Sequence, residues 1–100
     1  MNESTEFFLK RVSQYCYVSK IPYSFSNHDV NKQYAKGLIK VYSWVDELCF
    51  YYIQKDKQIQ NDFRNIVLSH YDEAKDMKDS PYKEGLICAF ENIKKFMEKS

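Results

Sequence analysis

Seven apolar residues, Val30, Tyr34, Leu38, Val41, Val45, Leu48 and Tyr52, follow one another at spacings of 4, 4, 3, 4, 3 and 4. Alternating steps of three and four keep side chains on one side of a helix, so the stretch predicts about six turns of amphipathic helix. A strand's two-residue period would scatter the same residues over both faces. A stripe of that length must be covered, and the rest of the chain offers more helices to cover it.

Two glycines and two prolines are all that punctuate 100 residues, so the helices are expected to be long. The first is expected over about 3–19, with Phe8, Val12, Tyr15 and Cys16 at helical spacing. It stops ahead of Ile21-Pro22, because a proline disfavours helical geometry in the residue before it. Residues 20–28 then form the one substantial loop, with Tyr23 and Phe25 packed onto the core and His28 beside Asp29. The second helix covers about 29–54, with Asn27 or Asp29 as its cap and His28 helping. The polar segment Gln54–Gln58 holds a turn or a kink. A third helix over about 59–78 carries Ile59, Phe63, Val67, His70, Ala74 and Met77 on one stripe, with Ile66 beside it. Ser80 then caps a fourth helix over about 81–98, with Pro81 in the first position, where no amide partner is needed. Its stripe is Tyr82, Leu86, Ala89, Phe90, Ile93, Phe96 and Met97. The expected fold is all-α, an antiparallel bundle of about four amphipathic helices in one domain spanning residues 1–100.

A pattern repeats within this layout. Tyr34-x-x-Gly37-Leu38-Ile39-x-x-Tyr42-x-x-Val45 matches Tyr82-x-x-Gly85-Leu86-Ile87-x-x-Phe90-x-x-Ile93. Glycine inside a helix costs about 1 kcal/mol against alanine, so two at one register call for a reason. Close approach of another helix is the simple one, and duplication of a helical hairpin is the other.

Charge narrows the function. The formal net charge is +1, from 15 basic and 14 acidic residues interleaved along the chain. Nucleic-acid binders gather a basic excess on one face, so a duplex-binding role is disfavoured. The start, Met1-Asn2-Glu3-Ser4-Thr5-Glu6, lacks a signal peptide's positive charge, and no apolar run approaches a membrane span. Cys16, Cys49 and Cys88 are odd in number, widely spaced, and without histidines placed to complete a zinc set. They read as reduced, buried thiols of a cytoplasmic protein, and no metal or cofactor is called for. The bias toward Lys, Tyr, Ile, Asn and Phe points to an AT-rich gene.

One stretch has the form of a catalytic motif. Arg64, its polar neighbour Asn65 and His70, with five residues between Arg64 and His70, resemble the signature of the HEPN superfamily of helical-bundle ribonucleases. The resemblance implies that Arg64 stabilises a phosphate and His70 acts as acid or base without a metal. Six residues turn a helix by about 600°, leaving Arg64 and His70 about 120° apart. That reading therefore requires two copies of the chain facing each other, or a local distortion. No Ser-His-Asp or Cys-His arrangement is present, and Asp46-Glu47 and Asp72-Glu73 are expected on solvent faces.

Surface aromatics carry the other reading. Trp44, Phe50, Tyr51 and Tyr52 surround the end of the second helix on more than one face, and Tyr17 and Tyr42 lie off the main stripes. Tyr and Trp are the residues enriched at interface hot spots. Asp72, Glu73, Asp76 and Asp79, diluted by Lys75 and Lys78, form an acidic stretch suited to a basic partner. In general character, though in no motif, the chain is similar to the small helical immunity proteins of contact-dependent growth inhibition and related secreted-toxin systems. That likeness implies a small inhibitor that neutralises a specific protein partner, such as a toxin nuclease, by occlusion. Trp44, Tyr51, Tyr52, Asp72, Glu73, Asp76 and Asp79 are the candidate partner-binding residues.

Overall fold

The computed structural model describes residues 3–25, 31–55 and 60–99. Among them are four α-helices and no strand: α1 (Glu3–Phe25), α2 (Lys32–Lys55), α3 (Gln60–Lys75) and α4 (Pro81–Glu98). The fold is an all-α bundle.

Three boundaries differ from expectation. α1 does not stop before Pro22 but carries it inside the helix and ends at Phe25. Proline cannot donate to the carbonyl four residues back, that of Val18. Val18, Ile21 and Pro22 all lie on the exposed side, where a carbonyl can be hydrated. The Ser24 hydroxyl donates to Lys20 O at 2.9 Å, and Tyr23 packs against the core, so the extra turn is held at both flanks. The expected loop at 20–28 is therefore helical as far as residue 25; residues 26–28, His28 among them, lie outside the described residues, as does the Phe25 side chain.

α2 is capped by Asn31 and not by Asn27 or Asp29. The Asn31 Oδ1 accepts from the amides of Gln33 (2.8 Å) and Tyr34 (3.2 Å), two of the four donors a helix start leaves free. Residues 27, 29 and 30 lie outside the described residues, as does the stretch 56–59 with Ile59. α3 ends at Lys75, three residues early, because the amides of Asp76 and Met77 turn back to the carbonyls of Glu73 and Ala74 (both 3.1 Å) and tighten the last turn. Ser80 caps α4 as expected, its Oγ accepting from Lys83 N at 3.0 Å with Pro81 in the first turn.

Side-chain pairs fix the helix directions. Tyr15 meets Tyr42, and Ser13 hydrogen-bonds Asp46, so α1 and α2 are antiparallel. Arg64 reaches Met97 while Tyr71 reaches Glu91, so α3 and α4 are antiparallel too. Trp44 meets His70 and Tyr52 meets Phe63, so the chain reverses between α2 and α3 and they are separate helices. α2 and α4 run the same way: Gly37 faces Gly85, Tyr42 meets Asn92 and Trp44 meets Phe90. The molecule is two helical hairpins joined along α2 and α4.

That joint explains the repeated motif. A methyl on Gly37 would collide with the Tyr82 carbonyl oxygen and lie 2.8 Å from Leu86 N; one on Gly85 would collide with the Tyr34 carbonyl oxygen and lie 3.0 Å from Leu38 N. The contacts are reciprocal, so the two copies of the motif pack on each other about a local pseudo-twofold. Glycine is required at both positions for backbone-to-backbone approach.

Leu9, Val12 and Cys16 of α1, Leu38, Val45 and Cys49 of α2, Phe63 and Val67 of α3, and Ile93 of α4 are almost wholly buried. Each large side chain of this kind contributes about 1.5–3 kcal/mol by leaving water. Part of the aromatic surplus is inside: Phe63 packs edge-on to Phe8 (6.1 Å) and Tyr52 (5.9 Å), and Tyr15 stacks on Phe96 (4.4 Å). Part is not, since Phe7, Tyr17, Phe50 and Tyr51 are each more than half exposed.

Candidate functional site

The glycine crossing draws α2 and α4 together and leaves α3 on the far flank of α4. α3 meets α2 through Tyr52–Phe63 and Trp44–His70. Beyond His70 it runs on without covering the space between itself and α2, and a groove of about 450 Å³ remains. Lys40, Val41 and Trp44 of α2 form one wall. His70, Glu73 and Ala74 of α3 form the other, with Met77 at its open end. Tyr82, Leu86 and Phe90 of α4 form the floor. The volume lies in the range of pockets that seat a ligand or an anchoring side chain, and the lining is mostly apolar with a few polar groups.

The Trp44 and His70 rings lie 4.3 Å apart, centre to centre, tilted by 36°, and close the inner end. His70 Nδ1 is 3.0 Å from the Ile66 carbonyl oxygen. A carbonyl only accepts, so in the neutral ring Nδ1 carries the proton and Nε2 is left as an acceptor. The sequence stripe placed His70 at the core boundary; the side chain is exposed, on the rim of the groove. Met77, also expected on the stripe, falls in the turn after α3 and is 42% exposed.

The turn after α3 is held by Lys83, whose ammonium donates to Met77 O (2.8 Å) and pairs with Asp79 (3.1 Å). Asp72 pairs with Lys75 at 3.1 Å, and that contact raises the lysine's pKa. Glu73 and Asp76 have no ion pair among the described residues, so Glu73 presents an uncompensated carboxylate to the groove. Among the described residues that line the groove, Lys40 is the one lysine or arginine.

The candidate partner-binding residues do not form one patch. Trp44 and Glu73 share the groove, whereas Asp72 and Asp76 are not in its lining and Asp79 lines a separate depression with Tyr34 and Lys83. Tyr51 and Tyr52 are at the opposite end of the bundle: Tyr52 lies on Phe63, nine residues or about 14 Å of helix from Asp72. Tyr51 is 52% exposed there, whereas Trp44 and Tyr52 are half-buried. A second apolar face lies between α1 and α2, where exposed Tyr17 and Phe50, with Ile53, surround the Ser13–Asp46 hydrogen bond.

Arg64 and His70 are not brought together within the chain. The Arg64 guanidinium donates to Met97 O (3.2 Å) and lies 4.5 Å from the centre of the Phe8 ring, toward α1 and the end of α4. His70 turns to α2. Asn65 is exposed. Among the described residues no three His, Cys, Asp or Glu side chains gather as a metal set, and no helix is long and apolar enough to cross a membrane. Burial pushes the thiols of Cys16 and Cys49 well up, so both are un-ionised packing groups.

Lys40, Met77, Tyr82, Leu86 and Phe90 went unread as site residues in the sequence. The last three sit on the apolar stripe of α4 and read as core; only the position of α3 leaves them bordering open space. No family model, curated protein or solved structure matches this chain.

Proposed function

We propose that the protein is a small binding protein of the cytoplasm that neutralises a specific protein partner, a toxin nuclease by class, by occluding it. The observation that carries this reading is the groove between α2, α3 and α4. It is an apolar concavity with Trp44 at its inner end, Met77 exposed at its mouth, and on its wall a carboxylate, Glu73, without an ion pair among the described residues. A buried aromatic anchor with a charged rim is how interfaces concentrate their binding energy. Inhibition by occlusion asks nothing further of the chain chemically. Engagement of the Arg64 guanidinium by Met97 O and the Phe8 ring of its own chain favours this reading over a HEPN-like ribonuclease.

The test is capture of partners by the tagged chain from its native host, with mass-spectrometric identification, repeated with Met77→Glu and with His70→Ala. A stoichiometric protein partner, lost with Met77→Glu, is expected. Recovery of RNA or of the chain alone would sink the reading, and RNA cleavage abolished by both Arg64→Ala and His70→Ala in folded protein would install the ribonuclease in its place.

A further inference from the structure

The groove has a chemistry that selects its occupant. Its lining includes the half-buried rings of Trp44 and Tyr82, and aromatic π-faces carry negative charge that attracts cations. Glu73 stands on the α3 wall without an ion-pair partner among the described residues. The last turn of α3, whose carbonyl ends carry the negative pole of the helix, forms the same wall. Asp72 beside it is paired with Lys75, and among the described residues that line the groove Lys40, on the opposite wall, is the one lysine or arginine.

We infer that the groove seats an arginine side chain presented by a basic protein partner, its guanidinium paired with Glu73 and its plane against the Trp44 end. The inference rests on the binding-protein reading above and names the anchor that reading lacks. A guanidinium is weakly hydrated and planar, stacks on indole, and offers a fork of donors to one carboxylate, which an ammonium does not. The aliphatic stem of the arginine covers Met77, 42% exposed at the mouth, so the contact buries apolar surface as well as charge. Lys40 opposes the incoming cation and sets the sign of the control.

Trp44 is the single tryptophan of the chain and lines the site, so its emission reports occupancy. The probes are acetyl-Leu-Arg-Leu-amide, the same peptide with citrulline, which keeps the shape and loses the charge, and the same peptide with glutamate. A saturable change in Trp44 emission is expected with the arginine peptide. Binding is expected to be about two- to fivefold weaker with citrulline and weaker still with glutamate, the span of an exposed ion pair. Glu73→Gln should bring the arginine peptide down to the citrulline level, and Lys40→Gln should tighten it by a similar factor. Both positions are exposed, and an unchanged far-UV spectrum checks the fold. Equal binding of arginine and citrulline peptides, tighter binding of the glutamate peptide, or no response to Glu73→Gln would each overturn the inference. So would no saturable response at all, including that of a dimer, seen by sedimentation, whose second copy fills the groove. Partner capture that Met77→Glu abolishes but Glu73→Gln does not would overturn the arginine anchor alone and leave the inhibitor reading standing. Saturable arginine binding with no protein partner captured would do the reverse.

Discussion

Replacing Gly37 with alanine adds one methyl group where the backbone of α4 already lies. In a free helix this change stabilises by about 1 kcal/mol, because alanine is the better helix former and restricts the unfolded chain. Here the new carbon would sit 2.8 Å from Leu86 N, against an ordinary contact of at least 3.4 Å, and the Tyr82 carbonyl oxygen is closer still. α2 and α4 must therefore part by at least 0.6 Å along their whole crossing. Both groups in the way are main chain and cannot rotate aside. Overpacking of this kind costs about 1–3 kcal/mol, and rigid neighbours on both sides place it at the upper end. After the helix-propensity gain, a net loss of about 2 kcal/mol is expected, or a fall in melting temperature of about 8–16 °C for a chain of this size. Gly85→Ala should cost about the same, since its contacts are the reciprocal ones, and the double variant should cost less than the sum, because one separation admits both methyls. Thermal unfolding followed by far-UV circular dichroism and Trp44 emission is the assay. A Gly37→Ala protein that melts at or above the wild type would refute the close crossing and, with it, the reason given for the groove.

Ser80→Ala removes the Oγ that holds Lys83 N and should lower stability by about 1 kcal/mol in urea titration, with Ser80→Asp restoring it. Arg64→Ala should cost about 2 kcal/mol, through loss of the charged hydrogen bond to Met97 O and of the Phe8 contact, whereas His70→Ala should leave the melting temperature nearly unchanged. Burial pushes the Tyr42 phenol up to about 12, and a hydrogen bond with Cys88 raises Tyr34 as well. The folded state thus holds these protons more tightly than the unfolded state. Their contribution is complete below about pH 10 and lost as pH climbs through the folded pKa near 12. Urea midpoints should stay level up to about pH 9 and then fall, less steeply in Tyr42→Phe; a midpoint that rises there would show the sign to be wrong. At neutral pH Tyr42→Phe should itself cost about 1 kcal/mol, since Asn92 loses its acceptor.

What local chemistry dictates was readable in the chain. The stripe from Tyr34 to Tyr52 made α2, Ser80-Pro81 started α4, and the paired glycines marked a close approach, because each of these depends on residues within a turn or two of one another. Caps and ends were read less well. Asn27 and Asp29 were the caps expected for α2, and Asn31, a residue of the same kind a few positions on, is picked out only by its hydrogen bonds. Pro22 was overruled because the Val18 carbonyl it cannot donate to lies on the exposed side of the helix and Tyr23 packs on the core.

The candidate site belonged to tertiary structure almost entirely. Periodicity placed Trp44 and His70 on amphipathic helices, but not facing each other, nor did it place Tyr51 and Tyr52 a bundle's length from the acidic stretch. Those relations depend on how far α3 stands from α2. The contact of Gly37 with Gly85 brings α2 onto α4, and α3 then packs on α4 through Arg64 and Tyr71 and on α2 through Phe63 and His70, with the groove left beyond His70. Helical periodicity reports which side of a helix is apolar and is silent on whether anything covers it. Leu86 and Phe90 met the core as their spacing required, yet on one flank they border an open groove, and an unfilled space has no residue of its own to write it into the chain.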